Sequence, residues 1–272
     1  MGVRGLLTYL RSCHVIRHAN MNVAGWRIGL DGFSLIFLYK EERQALREYL
    51  EAMKTRGSLT LVMDRRAAKE KKEVVDKRKD ARKEAKADAA SLVSTIAGSD
   101  LDEDQLKILE KALAAKEKQA WCLYPDYVKW FVKLLEELEI QLIWAEEEAD
   151  EVLAIGDYDA VVSSDSDLLI LGAYHEKGCR RLWLPRAIAV QHNEINMESF
   201  KSIIGLQQEQ LYQLSFLAGC DVQPKSMMPV NEAVSRLRFY GSIHELYKRH
   251  PEIVSKEDID RYEILRKNVW KK

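Results

Sequence analysis

Apolar residues along the chain alternate between short continuous runs and longer stretches of helical spacing. Four of the runs, rich in Val, Ile and Leu, close on or just before acidic residues. They are WRIGLD ending at Asp31, SLTLVMD ending at Asp64, IQLIWAEEEAD reaching Glu148 and Asp150, and YDAVVSSDSD reaching Asp165 and Asp167. A short apolar run followed by a helical pattern is the mark of a strand–helix unit. Repetition of that unit predicts an α/β fold with a central, mostly parallel sheet and helices on both faces. In such sheets ligands bind outside the carboxyl ends of the strands, so acids scattered over about 130 residues of sequence are expected to meet.

Between the second and third of the predicted strand positions a helical stretch runs from about residue 65 to 138. Its first part is basic with almost no apolar face, as expected of a helix projecting into solvent or a movable gate. Gly98, Ser99 and Asp100 break it, and Pro125 opens an amphipathic helix beyond. After residue 180 the pattern predicts a β-like pair, RRLWL and AIAVQ. It then predicts the helices NMESFKSII and LQQEQLYQLSFLAGCD, the second delivering Asp221, and two short helices joined near Gly241. One α/β domain over residues 1–272 is the economical organisation, with a helical insertion at 65–120 and a helical element at 205–250.

Composition changes this picture little: 47% apolar and 31% charged residues suit a globular protein, and no apolar run reaches membrane-spanning length. The start MGVRGLLTYLRSCHVIRHAN is broken by Arg and His too often for a secretory signal. Cys13, Cys122, Cys179 and Cys220 lie far apart without a CxxC pair, which argues against structural zinc and disulfides and for reduced thiols inside a cell. The lysine-rich DKRKDARKEAK also suits a nuclear address, so an intracellular and nuclear rather than cytoplasmic location is expected.

Charge is more informative once it is resolved along the chain, because a net charge of −1 conceals a segregation. Residues 65–86 hold eleven Lys or Arg against five acids, whereas residues 145–167 hold nine acids and no base. An acidic centre beside a basic helix suits a metal-dependent enzyme acting on a polyanion, although both could equally be solvated faces.

The acids expected to converge are Asp31, Asp64, Glu148, Asp150, Asp165, Asp167 and Asp221. An all-oxygen set suits Mg²⁺ or Mn²⁺ rather than zinc, and seven carboxylates exceed what one Mg²⁺ takes, so two Mg²⁺ are expected, with Mn²⁺ able to substitute. Two such ions can activate water and stabilise the leaving oxygen of a phosphodiester. Taken singly, Asp31 or Asp64 reads as a helix N-cap or turn residue, and the joint pattern is what capping explains poorly. Lys71 and Arg78, seven residues apart on one helical face, are candidates to hold a phosphate.

These residues resemble, in order, the motifs of the structure-specific 5′ nucleases that include flap endonuclease, exonuclease 1 and the xeroderma pigmentosum group G protein. MGVRGLLTYL is similar to the family's start, LDGFSLIFLY to its first metal-ligand strand and helix, and VMDRRAAKEKKEVVDKR to its second aspartate and gateway bases. EADEVLA, VVSSDSDLLILG and LQQEQLYQLSFLAGCD resemble its remaining acidic motifs. The resemblance implies a nuclease core of PIN-like fold, a helical arch at 65–120 and a duplex-binding helical element at 205–250. It implies metal-binding and catalytic roles for the seven acids and phosphate-steering roles for Lys71 and Arg78. Gly2 would lie at the site, and Phe37 would stack on a base, although an aromatic at this spacing equally suits a core.

The implied activity is 5′ flap endonuclease and 5′ to 3′ exonuclease action on DNA flaps, nicks or ends in replication, recombination or repair. The sequence departs from the family where a glycine-rich, duplex-gripping turn should follow the last aspartate. CDVQPKSMMPVNEA, with Pro224 and Pro229, contains no glycine. That departure keeps open a catalytically weak nucleic-acid-binding or RNA-processing protein, and a nuclease acting on RNA or single strands. No recognisable C-terminal sliding-clamp motif is present, since QEQLYQLSF lies inside a predicted helix.

Overall fold

The computed structural model describes residues 2–21, 23–40, 42–65, 72–99, 101–146, 148–186 and 191–270, and only the backbone of 72–74. The chain divides into two compact units, residues 1–68 with 133–272, and residues 69–132. The first unit is built on a seven-stranded sheet: β1 (Ile16–His18), β2 (Trp26–Asp31), β3 (Gly57–Asp64), β4 (Gln141–Ala145), β5 (Ala160–Val162), β6 (Arg181–Pro185) and β7 (His192–Asn196). Their order is β1-β7-β6-β5-β2-β3-β4, and the central β6-β5-β2-β3-β4 pairings are parallel. Parallel strands covered on both faces have no solvent side, which is why β5 is buried at every position and β2 over its last four.

The chain runs from β2 outward to β3 and β4, then returns to the other flank of β2 as β5. That reversal makes the β2–β5 boundary the topological switch point, where α/β sheets open a crevice at their carboxyl edge. The observed strands end where the apolar runs ended. Two details differ from expectation. The partner of β6 is His192–Asn196 rather than AIAVQ, of which residues 187–190 lie outside the described residues. The short antiparallel edge strand β1, paired to β7, carried too few residues to give an alternation.

Around the sheet lie α1 (Leu6–Ser12), α2 (Gly32–Tyr39), α3 (Arg43–Lys54), α7 (Ala149–Ile155), α8 (Asp167–Gly172) and α9 (Met197–Ile204). Then follow α10 (Gln208–Ala218), α11 (Val230–Tyr240), α12 (Ile243–Arg249) and α13 (Lys256–Asn268). α11 ends at Gly241, whose φ of 79° is the left-handed conformation that closes a helix with least strain in glycine. Among the described residues no helix is long and apolar enough to cross a membrane.

In the second unit, α4 (Lys72–Gly98) and α5 (Glu103–Ala120) pack on each other, and α6 (Pro125–Glu137) begins. α4 contributes the small buried pair Ala85 and Ala89, one turn apart. α5 starts with a capping box between Asp102 and Gln105 and is tied to α4 by Lys116 and Asp88 at 2.6 Å. No residue of α5 is buried, so its stability comes from that one contact face and its caps.

On the sheet, His192 illustrates what burial does to a titrating group. Its ring lies 5.5 Å from that of Trp183, its Nε2 is 2.8 Å from the Tyr49 hydroxyl, and it is 2% exposed. Burial pushes its pKa down to about 4, with the Arg56 charge adding to the effect. The folded state therefore prefers the neutral ring. This contribution is full above the unfolded pKa near 6.5 and is lost as pH falls towards 4, up to about 3 kcal/mol. His192→Gln should flatten that part of the stability curve: denaturant unfolding at pH 7 and pH 4.5 is expected to show a smaller loss in the variant than in the parent.

A candidate acidic nuclease centre at the switch point

Each strand that meets the crevice hands an acid to its carboxyl edge. Asp31 is the last residue of β2 and Asp64 the last of β3, while Asp165 and Asp167 follow β5. Glu148 and Asp150 follow β4 at the start of α7. The order across the edge is thus Asp165 and Asp167, Asp31, Asp64, then Glu148 and Asp150.

Asp31 sits deepest. Its Oδ1 accepts the Ser34 N–H at 3.0 Å, and so caps α2, and its Oδ2 accepts the Ser163 hydroxyl at 2.6 Å. Burial pushes its pKa up to about 6; the two hydrogen bonds pull the other way, and the Asp165 and Asp64 charges push it further up. The carboxylate therefore pays for its charge in the absence of a cation.

Asp64 performs a comparable double task, its Oδ1 accepting the Ala149 N–H at 2.5 Å, across from β3 to the first turn of α7. Glu148 occupies the N-cap position there without a side-chain cap bond, and Asp64 serves the N–H of Ala149, the first helical residue. Asp165 Oδ1 accepts the Asp167 N–H at 3.0 Å, and Ser163 Oγ accepts the Asp165 N–H at 3.0 Å.

Asp221 arrives from another direction. It lies buried in a turn after α10 closed by Cys220 and Gln223, which exchange backbone hydrogen bonds of 2.8 and 3.1 Å. Cys220 feels the charges of both Asp167 and Asp221, and with burial as the larger cause its thiol is pushed up to about 12. The Asp31 carboxyl thus feels the charges of Asp64 and Asp165, Asp165 holds the Asp167 N–H, Cys220 feels both Asp167 and Asp221, and Glu148 and Asp150 flank the Ala149 N–H that Asp64 accepts.

The N-terminal segment completes this edge. Arg4 N–H donates to Gly219 O and its guanidinium to Pro224 O, both at 2.9 Å, which ties the segment to the Asp221 turn. A β-carbon on Gly2 would fall 2.5 Å from Asp165 Oδ1 and 2.6 Å from Ser166 N, so Gly2 abuts the acids as expected. Phe37 lies on α2 with 41% of its surface exposed. Arg78 lies on α4 in the second unit and is half-buried, whereas Lys71 lies outside the described residues, so their shared face is not on view. Sequence reasoning misses the serines at 34, 163 and 164, and only the SSDSD spelling hints at the last two.

The donor set is all carboxylate oxygen, which fits hard divalent cations. Among the described residues no group of three or more acid, histidine or cysteine side chains is already arranged to hold a metal ion. Asp31, Asp64 and Asp165 accept the hydrogen bonds given above.

Residues 139–221, from just before β4 to Asp221, match the family model of the XPG I-region. No curated protein matches the sequence. Among solved structures, the chain resembles human GEN1 in complex with Holliday junction DNA at 17% identity and a TM-score of 0.57, covering 97% of this chain and 61% of that one. It resembles the catalytic core of Rad2 in complex with DNA substrate at 17% identity and a TM-score of 0.62, covering 98% and 81%. Flap endonuclease-1 from Methanococcus jannaschii is similar at 16% identity and a TM-score of 0.58, covering 92% and 81%. The chain spans less than two thirds of the length of GEN1. It carries the fold of the structure-specific 5′ nucleases, with their XPG I-region at residues 139–221.

Proposed function

We propose that the chain is a metal-dependent, structure-specific 5′ nuclease that cuts branched DNA at flaps, nicks or ends. The observation that supports this most is the placement of Asp31, Asp64 and Asp165 at or just past the carboxyl ends of adjacent strands at the switch point, with Asp64 and Asp165 within electrostatic reach of Asp31. Two Mg²⁺ ions, or Mn²⁺ in their place, would be held by these three with Glu148, Asp150, Asp167 and Asp221. When bound they would supply an activated water and charge neutralisation at phosphorus. Ser163 and the Ser34 N–H hold the Asp31 carboxylate in one orientation, so that little is left to order when a substrate arrives. Phe37 offers a ring to a base, and Arg78 with Lys71 would steer phosphates.

A time course on 5′-labelled double-flap DNA, with nicked, blunt and single-stranded controls, tests this at millimolar Mg²⁺ and again in EDTA. Junction cutting that needs the metal, and falls at least about a hundredfold in Asp167→Ala while binding persists, is the expected result. Binding without cutting on any substrate would favour the second reading, a catalytically weak nucleic-acid-binding or RNA-processing protein. The observation behind that reading is the turn after Asp221. Pro224 and Pro229 replace flexible glycine there, and the backbone folds back so that Met227 and Met228 donate to Leu217 O. Matched RNA flaps in the same assay separate an RNA nuclease from both.

A further inference from the structure

Beside the acids lies a pair of hydroxyls whose hydrogens do not balance. Ser34 is in the first turn of α2, three residues after Asp31, and Ser164 immediately precedes Asp165. Ser34 Oγ accepts the Ser164 N–H at 2.9 Å, and the two hydroxyl oxygens stand 2.7 Å apart. Two hydroxyls bring two hydrogens, and only one fits between the oxygens. Whichever serine donates, the other keeps a hydrogen with no acceptor among the described residues. Ser164 is exposed and Ser34 half-buried, so that hydrogen can reach solvent. Phe37 is three residues beyond Ser34 on α2, on the same side of the helix, with its ring exposed.

We propose that the Ser34–Ser164 pair is a substrate contact: its spare hydrogen donates to a phosphate oxygen of a nucleic-acid strand lying against the acids, with a neighbouring base on Phe37. This rests on the nuclease reading and adds to it the chain's own means of holding a phosphate beside carboxylates. A lysine or arginine at this place would pair with Asp31 or Asp165 and compete with any cation they bind. A neutral hydroxyl contacts phosphate without neutralising them, as serine commonly does in nucleic-acid interfaces.

The pair makes an unusual prediction, because each hydroxyl can stand in for the other. Affinity for a 5′-labelled flap DNA, measured by fluorescence anisotropy in EDTA, is expected to change less than about twofold in Ser34→Ala and in Ser164→Ala. In the double variant it should fall about five- to tenfold, the size of one lost hydrogen bond. Ser164→Thr, which keeps a hydroxyl, should bind like the parent. If the pair only clasps α2 to the acidic loop, Ser34→Ala alone removes both of its hydrogen bonds, because the Ser164 N–H also donates to Ser34 Oγ, so a Ser34→Ala as damaging as the double overturns the proposal, as does an unaffected double. The loss should be equal on a matched RNA strand; a loss confined to RNA would move the contact to the 2′-hydroxyl and overturn the phosphate assignment. A parent that binds no oligonucleotide overturns both this and the nuclease reading. Pair-dependent binding without cleavage overturns the nuclease reading alone.

Discussion

Asp31→Asn is expected to stabilise the metal-free protein while abolishing cleavage. The carboxyl of Asp31 is pushed from 3.8 up to about 6, first by burial and then by Asp165 and Asp64. Holding it charged at neutral pH therefore costs about 3 kcal/mol. Asparagine keeps an acceptor for the Ser34 N–H, and its amide can turn to Ser163 Oγ. That exchange loses the strong hydroxyl-to-carboxylate bond, which leaves a net gain of about 1–2 kcal/mol, or about 2–6 °C in melting midpoint. The sign follows from linkage. A raised acid pKa adds stability below the unfolded value, and that stability is lost as pH rises through the folded one. The gap between variant and parent should therefore open between about pH 4 and pH 6 and stay constant above. Thermal melts in EDTA at pH 5 and pH 8 measure it. A variant less stable than the parent at pH 8 would show that the Ser163 hydrogen bond outweighs the cost of burying the charge.

Gly2→Ala should be nearly as damaging to cleavage, for a steric reason. The added β-carbon meets Ser166 N at 2.6 Å, and a backbone nitrogen cannot swing aside as a side chain can. Overpacking of this kind costs about 1–3 kcal/mol. The displaced backbone belongs to the loop that carries Asp165 and Asp167, and misplacing a reacting group by about 1 Å can cost about a hundredfold in rate. A hundredfold slower cleavage with only a modest fall in melting midpoint is the expected outcome. Gly98→Ala is the matched control, because a β-carbon there meets nothing within 4 Å, and it should change neither quantity.

The strands and their acids were legible because a parallel strand covered on both faces must be continuously apolar, and the acid that ends it marks the carboxyl edge. The same reasoning could not see β1, whose Arg17 and His18 are exposed and whose Ile16 is only partly buried, nor place β7, whose polar HNEIN sequence lacks a strand's apolar signature. Capping by Asp31 and Asp64 leaves room for a second role at the acidic edge. A carboxylate has two oxygens and several lone pairs, and both residues cap a helix while facing the other acids. The serines between the acidic motifs escaped notice because a hydroxyl's role depends on what lies across a crevice. Ser34 and Ser164 are 130 residues apart in sequence and 2.7 Å apart in space.

The docking of Gly2 and Arg4 has a consequence for how the protein is made. These residues are synthesised before the backbone they close on, at Ser166, Gly219 and Pro224, which follows some 160 to 220 residues later. At about 5–20 residues per second the N-terminal segment waits about 10 to 40 seconds for its partners. Contacts of such sequence separation form late, since the whole intervening loop must be ordered before they reward it. A nascent chain can therefore build much of its sheet before the acidic edge is sealed, and a nuclease assembled in this order would acquire its activity only after the Asp221 turn has been made.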